Sequence, residues 1–253
     1  MQSANTHIGA MISALNDAGL GIRLNADAPS FRDFYCRMVG YEPASPLDAT
    51  FVRLDTRSFF WLQIQDAKHR PIGCAAGRLV LAPAWRGGLQ RLLLNQSLFM
   101  DRGTPLWLSG RAPDTGLSGR LGYVGGGWIH PAWRRHGLIG IAIQLVHAYM
   151  ALHYRTDHNF GFVRPNHIPL GLGEDGYAFA SADDAFSAYC PGTGFDEPLH
   201  LVQVSRGQLA ARYARPPAYA LRTAIDGIPE IQPETSAATP LLHEERGGMR
   251  KVG

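Results

Sequence analysis

The residues whose types and spacing carry chemistry lie in one continuous run: Gly125-Gly126-Gly127-Trp128-Ile129-His130-Pro131-Ala132-Trp133-Arg134-Arg135-His136-Gly137-Leu138-Ile139-Gly140. It reads as a glycine-rich strand, a Pro-containing turn and a glycine-punctuated helix start. A helix N-terminus has unpaired backbone N–H groups and the positive end of the peptide dipoles, so it is suited to a phosphate. Glycine at 137 lets a pyrophosphate approach the backbone closely. Arg134 and Arg135 add charge at the same place. A bulge among the three glycines would splay the strand from its neighbour and expose backbone groups to an extended ligand arm.

Other chemistries fit less well. Ten histidines invite a metal, but the closest group is His153, Asp157 and His158, with no His-Glu-x-x-His and no Cys/His spacing, so no metal is expected. Ser109 and Ser118 lack the Gly-x-Ser-x-Gly frame of a hydrolase. Gly125–Gly127 is not the Gly-x-Gly-x-x-Gly of a dinucleotide site. Two residues near the run are candidate proton-transfer groups: Tyr123 within the strand and His130 at its end, the latter also suited to capping the turn. The carboxylates Asp101, Asp114, Glu174 and Asp175 read as loop residues.

The elements that must hold this run come next. The spacing of Ile8, Met11, Ile12 and Leu15 predicts a helix over 4–18. A short strand at 20–24 and a second helix from Phe31 to Gly40 follow. The segments 59–64 and 72–81 form a hairpin signal about the polar Asp66–Arg70. Trp85–Met100 reads as a helix. Leu-Ser-Gly-Arg at 108–111 and 117–120 flanks Pro113-Asp114-Thr115-Gly116, which predicts a hairpin there. A strand over 121–129, a helix over 134–153, and strands at 160–163 and 199–204 complete the order. The class is mixed α/β, one domain over 1–215 with an insertion at about 84–120. The Pro- and Glu-rich segment 216–253 reads as a poorly ordered tail.

Composition agrees with a soluble domain. A net charge of +3 on 253 residues argues against a general nucleic-acid binder. Three dispersed cysteines argue for free thiols in a cytoplasmic setting rather than disulfides. The first twenty residues show no signal-peptide pattern. No apolar stretch is long enough for a membrane span.

The run from Ile129 resembles the acyl-CoA motif of the GNAT superfamily: an apolar strand, Pro, an aromatic, then Arg/Gln-x-x-Gly-x-Gly/Ala. The matching residues are Ile129, Pro131, Trp133, Arg134, Gly137 and Ile139; the last departs from the pattern's small residue and is followed by Gly140. The hairpin 59–81 resembles the family's second and third strands. Phe160-Gly161-Phe162-Val163 with Asn166 resembles its fifth strand and the opening of its fourth helix, and Gly176-Tyr177 its Gly-Phe pair. The likeness spans roughly 20–206 and implies a mostly antiparallel mixed sheet flanked by helices. It implies that Trp128, Ile129 and His130 line the pantetheine arm. It implies that Arg134, Arg135, His136, Gly137, Leu138, Ile139 and Gly140, with Asn166, bind the rest of acetyl-CoA or another acyl-CoA. The implied reaction is direct attack of a small-molecule or peptide amine on the thioester. The family's usual glutamate, expected near Tyr123, and its usual tyrosine, expected near Leu172 or Gly173, are absent. Two alternatives stay open: a non-catalytic module that binds CoA or a partner, and a transferase of long acyl chains covered by Leu89–Met100. A homodimer is compatible with either.

Overall fold

The computed structural model describes residues 2–94, 100–101, 104–105, 108–109, 115–172, 176–183, 186–190 and 195–215. The tail 216–253 therefore lies outside the described residues, as does much of the insertion. The elements are α1 (Gln2–Asp17), β1 (Gly21–Asn25), α2 (Ala28–Val39), β2 (Phe59–Gln65), β3 (Pro71–Ala82), α3 (Gly88–Leu94), β4 (Met100–Asp101), β5 (Thr104–Pro105), β6 (Leu108–Ser109), β7 (Gly119–Ile129), α4 (Leu138–Leu152), β8 (His158–Val163), α5 (Ile168–Leu172), β9 (Ser181–Ala182), β10 (Phe186–Cys190), β11 (Phe195–Ser205) and α6 (Arg206–Tyr213).

One sheet runs in the order β1-β2-β3-β7-β8-β11-β10-β6, with β9 also beside β11; β4 and β5 form a separate pair. Within the main sheet β7–β8 is parallel and the other pairs are antiparallel. This is the expected mixed α/β class, a mostly antiparallel sheet flanked by helices. Alternation along β2 and β3 sends side chains to two cores, as the period of a strand requires. Phe60, Leu62, Ile64 and Ile72 pack with Met11 and Leu15 of α1 and with α4. Phe59, Trp61, Cys74 and Ala76 pack with Phe31 and Phe34 of α2 and with Leu89 and Leu93 of α3.

The centre of the first core is α4, buried along most of its length from Leu138 to Met150. Two polar side chains inside it make local bonds. His147 Nε2 lies 2.9 Å from the Tyr177 carbonyl, and Gln144 Nε2 donates to Gly176 O at 2.9 Å. Asn159 of β8 donates to His147 O at 3.1 Å and accepts from Thr156 Oγ1 at 2.7 Å. These bonds tie α4 to the start of β8 and to the 176–177 turn, since a buried polar group left unbonded is costly.

Three local expectations are corrected. The helix expected over 134–153 begins only at Leu138, because Pro131–Trp133 forms a 3-10 turn and Arg135 and Gly137 have φ of 72° and 79°; left-handed residues cannot continue a right-handed helix. The helix expected over 85–100 is, in the described residues, a 3-10 turn at 84–86 and α3. Leu108–Ser109 pairs with Ser187 and Ala188 of β10, not with 117–120, so a distant strand replaces the expected hairpin.

Candidate functional site

β7 changes character half-way along. Leu121, Gly122 and Tyr123 pair with His158, Asn159 and Phe160 of β8. Beyond Tyr123 the ladder to β8 stops, while β7 stays paired to β3 as far as Ile129. The parallel strands part there. On the β3 side the register shifts: Ala76 faces Gly125 and Cys74 faces Trp128, so one β3 residue opposes two of β7. This is the bulge expected among the glycines. Gly126 has φ of 62°, and a Cβ on it would lie 2.8 Å from Phe31 Cζ, so glycine is required on both counts. The Cys74 thiol lies 3.4 Å from the Gly126 carbonyl and is fully buried, which pushes its pKa well up and leaves it a neutral packing group.

The strand leads into a turn with two left-handed residues. His130 Nδ1 accepts from the Ala132 N–H at 3.3 Å and caps the 3-10 turn. Arg134 is extended and its Nε donates to Ile129 O at 3.2 Å, closing the turn onto the strand end. Arg135 and Gly137 then adopt left-handed conformations on either side of His136. The first bond into α4 runs from Ile141 N–H to Gly137 O at 3.3 Å. The N–H groups of Leu138, Ile139 and Gly140 thus have no earlier turn to reach, and none from Arg135 to Gly140 donates to a backbone carbonyl of the described residues. Space is open beside Gly137, where an added Cβ would meet nothing within 4 Å.

The expected site residues divide by position. Arg134, Arg135 and Gly137 are exposed, His136 is half-buried, and Leu138 and Gly140 are buried in the first turn of α4. Ile139, the departure from the motif, leans back onto β7: its Cδ1 lies 2.9 Å from where a Cβ on Gly127 would be. Glycine at 127 thus makes room for isoleucine at 139. Trp128 and Ile129 are buried on opposite faces of the sheet, Trp128 edge-on to Phe34 and His130. Asn166 is exposed on the 3-10 turn Pro165–His167 that follows β8, across the divergence from the loop rather than in it. Tyr123 is buried at the point of divergence, its ring against Phe160 and Phe162. A Cβ on Gly125 would lie 3.1 Å from the Tyr123 hydroxyl, so the phenol lies along the strand over Gly125 of the open edge.

Asp114, Glu174 and Asp175 lie outside the described residues, and only the backbone of Asp101 is described, in β4. Among the described residues no group of His, Cys, Asp and Glu has the arrangement of a metal site, and no helix is long and apolar enough to cross a membrane. A cavity of about 340 Å³ lies elsewhere, over β1 and β2 against α2, with Arg23, Asp33 and Arg37 in its lining; β3 separates those strands from β7. One residue of the site escaped sequence reading. Arg78 of β3 stands opposite Tyr123. Its signal was a charge at an inward-facing position of an otherwise apolar strand.

No protein-family model and no curated protein matches the chain. Several solved structures are similar. An N-acyl amino acid synthase from uncultured soil microbes superposes with a TM-score of 0.45 at 14% identity, covering 76% of this chain and 94% of that one. The NAA60 protein of Arabidopsis thaliana, in complex with acetyl-CoA, gives 0.48 at 12% identity over 74% of this chain and 98% of that one. The ribosomal-protein-S5-alanine acetyltransferase of Vibrio fischeri gives 0.44 at 10% identity over 74% and 93%.

Proposed function

We propose that this chain is an acyl-CoA-dependent N-acyltransferase of the GNAT type, which uses acetyl-CoA or a longer acyl-CoA to acylate a primary amine. The observation that carries the reading is a conjunction in one strand–turn–helix unit. β7 bulges at Gly126 and loses its β8 partner after Tyr123, and its end feeds a turn with left-handed residues at 135 and 137 and free N–H groups at the start of α4. An anion at the turn and an extended arm along the open edge suit a pyrophosphate joined to a pantetheine thioester.

In this reading the N–H groups from Arg135 to Gly140 hold the pyrophosphate, with the Arg135 guanidinium beside it. The arm runs along the unpaired edge of β7 towards Gly125. The amine nitrogen attacks the thioester carbonyl carbon, and a backbone N–H of that edge stabilises the oxyanion. The C–S bond then breaks, the sulfur leaves as thiolate, and the nitrogen's proton passes to solvent or to the thiolate. Holding amine and thioester in line supplies much of the rate. No carboxylate of the described residues takes the place of the family's glutamate, and the Nδ1 of His130 is engaged in capping. The base is therefore weak or water-relayed. That same shortage favours the second reading, a module that binds CoA without transfer.

The deciding experiment adds acetyl-CoA and palmitoyl-CoA separately to the purified protein and records the melting temperature, then thiol release with a panel of amines. A ligand at 100 times its Kd stabilises by about 2.7 kcal/mol. A shift with amine-dependent thiol release supports the transferase; a shift without release supports the binding module. No shift with either ligand overturns both.

A further inference from the structure

On the side of the sheet covered by α2, Arg78 is a cation at the divergence. Arg78 shares its side of β3 with Ala76 and Val80, which belong to the buried cluster there. Its ladder partner is Tyr123, the last residue of β7 still paired to β8. Opposed residues of an antiparallel pair have Cβ atoms about 5 Å apart. The guanidinium and the phenol therefore rise together where the strands part.

Arg78 is half-buried, and its Nη1 donates to the Pro46 carbonyl at 3.2 Å. Some arginines of the molecule have carboxylates, Arg32 with Glu42 and Asp48 and Arg70 with Asp66, whereas Arg120, like Arg78, bonds a backbone carbonyl. Among the described residues no carboxylate pairs with Arg78. Burial is the main influence on it and pushes its pKa down, opposed by the neighbouring Tyr123. A guanidinium offers five N–H donors in a fixed fork, and one backbone carbonyl leaves most of that fork unused. A half-buried guanidinium beside an apolar cluster can take up a transient anionic partner with its remaining donors.

We infer that Arg78 holds a carboxylate of the acceptor, so that the amine acylated here belongs to an amino acid or another amine with a free carboxylate near its nitrogen. This rests on the transferase reading above. The Arg78 fork matches a carboxylate bidentately and sets the adjacent nitrogen beside the open edge at Gly125. The same positive charge disfavours the protonated amine, which supplies free amine where no strong base stands. It also repels polyamines, and it finds no α-carboxylate on the N-terminal residue of a peptide.

The test is thiol release from acetyl-CoA and palmitoyl-CoA with leucine, phenylalanine and glutamate, each against its α-amide. The acids should be preferred by roughly 10- to 150-fold in kcat/KM, the range of one charge-assisted hydrogen bond, mostly through KM. Arg78→Met should remove that preference, bringing the acid-to-amide ratio of kcat/KM to about one. Arg78→Lys keeps the charge without the fork and should retain part of the preference. If Arg78→Met does not fold, the acid–amide comparison on the parent protein and the lysine variant still decide. Equal rates for acids and amides, or a preference that survives in Arg78→Met, overturn the inference alone. A protein whose melting temperature rises with acyl-CoA and which acylates other amines but neither these acids nor their amides overturns the inference alone; one that acylates no amine of the panel overturns the transferase reading and this inference with it.

Discussion

The two halves of β7 have the same neighbour on one side and opposite fates on the other. From Gly119 to Tyr123 the strand lies between β3 and, over its last three residues, β8, and its inner face meets Asn159 and Met150. From Val124 to Ile129 it keeps β3, bulges, and gives up β8. The first half spends its polar groups on structure. The second leaves backbone groups on an edge, the arrangement proteins usually hide. Retaining it inside a well-packed sheet is intelligible if another chain-like ligand pairs there. The difference predicts that perturbing the open half changes binding and not stability, and that perturbing the clasped half does the reverse.

The largest expected effect is on the open side. Gly137→Glu puts a carboxylate where the phosphate is proposed to lie, in space that is otherwise empty. Repulsion and lost room should reduce CoA affinity more than about a hundredfold. A non-glycine residue at φ 79° costs about 1–2 kcal/mol, so the fold should persist. Titration calorimetry with CoA measures the first effect and circular dichroism the second. Unchanged affinity would remove the turn from the site.

The matching test on the clasped side is Asn159→Ala. It strips buried partners from His147 and Thr156 and should cost about 3 kcal/mol, or roughly 6–12 °C in melting temperature for a domain of this size. CoA affinity of the folded protein should stay within about twofold. A loss of affinity as large as that of Gly137→Glu would mean that the two halves are not independent.

His147 gives the clasped side a pH signature. Burial holds its pKa down at about 3, against about 6.5 in the unfolded chain. Because the folded pKa is the lower one, this contribution is fully present above about pH 6.5 and is lost as pH falls through the interval towards 3. The slope is at most about 1.4 kcal/mol per pH unit. His7, also lowered chiefly by burial, acts in the same direction. Denaturant unfolding at pH 7 and pH 5 should show the loss, and His147→Gln should reduce it. An identical slope in that variant would show that other groups govern acid stability.

These contrasts also mark what the sequence made legible. Three consecutive glycines before Trp128 were enough to place the bulge, because only a backbone that must bend or approach closely needs them. The hairpin 59–81 was legible because its turn and both strands are local. The start of α4 was misplaced by four residues, since Arg134, Arg135 and His136 have no side-chain feature that forbids a helix; the left-handed turn is imposed by Pro131 on one side and Gly137 on the other. The partner of Leu108–Ser109 was not legible at all, because it lies nearly eighty positions away on β10. Arg78 was hidden for a related reason: what makes it notable is the tyrosine opposite it, and register between strands is a tertiary fact.

The smallest expected effect falls on the residues that stand where the two halves meet and end, Tyr123 and His130. Loss of a positioned general base costs about a hundredfold or more. Here the His130 ring accepts the Ala132 N–H in a cap, and the Tyr123 ring is wedged against Phe160 and Phe162 with its hydroxyl over Gly125. In the proposed reading both side chains support the backbone rather than move protons. His130→Ala and Tyr123→Phe should therefore each lower turnover less than about tenfold, read as thiol release from acyl-CoA across several pH values. A rate that climbs with pH up to the amine's own pKa means that the amine reaches the thioester already deprotonated, with orientation along the open edge as the main source of rate. A sharp titration near neutrality that vanishes in His130→Ala would make that imidazole the base. The end of β7 would then be a proton-transfer site, and its contrast with the clasped half would be one of chemistry as well as of pairing.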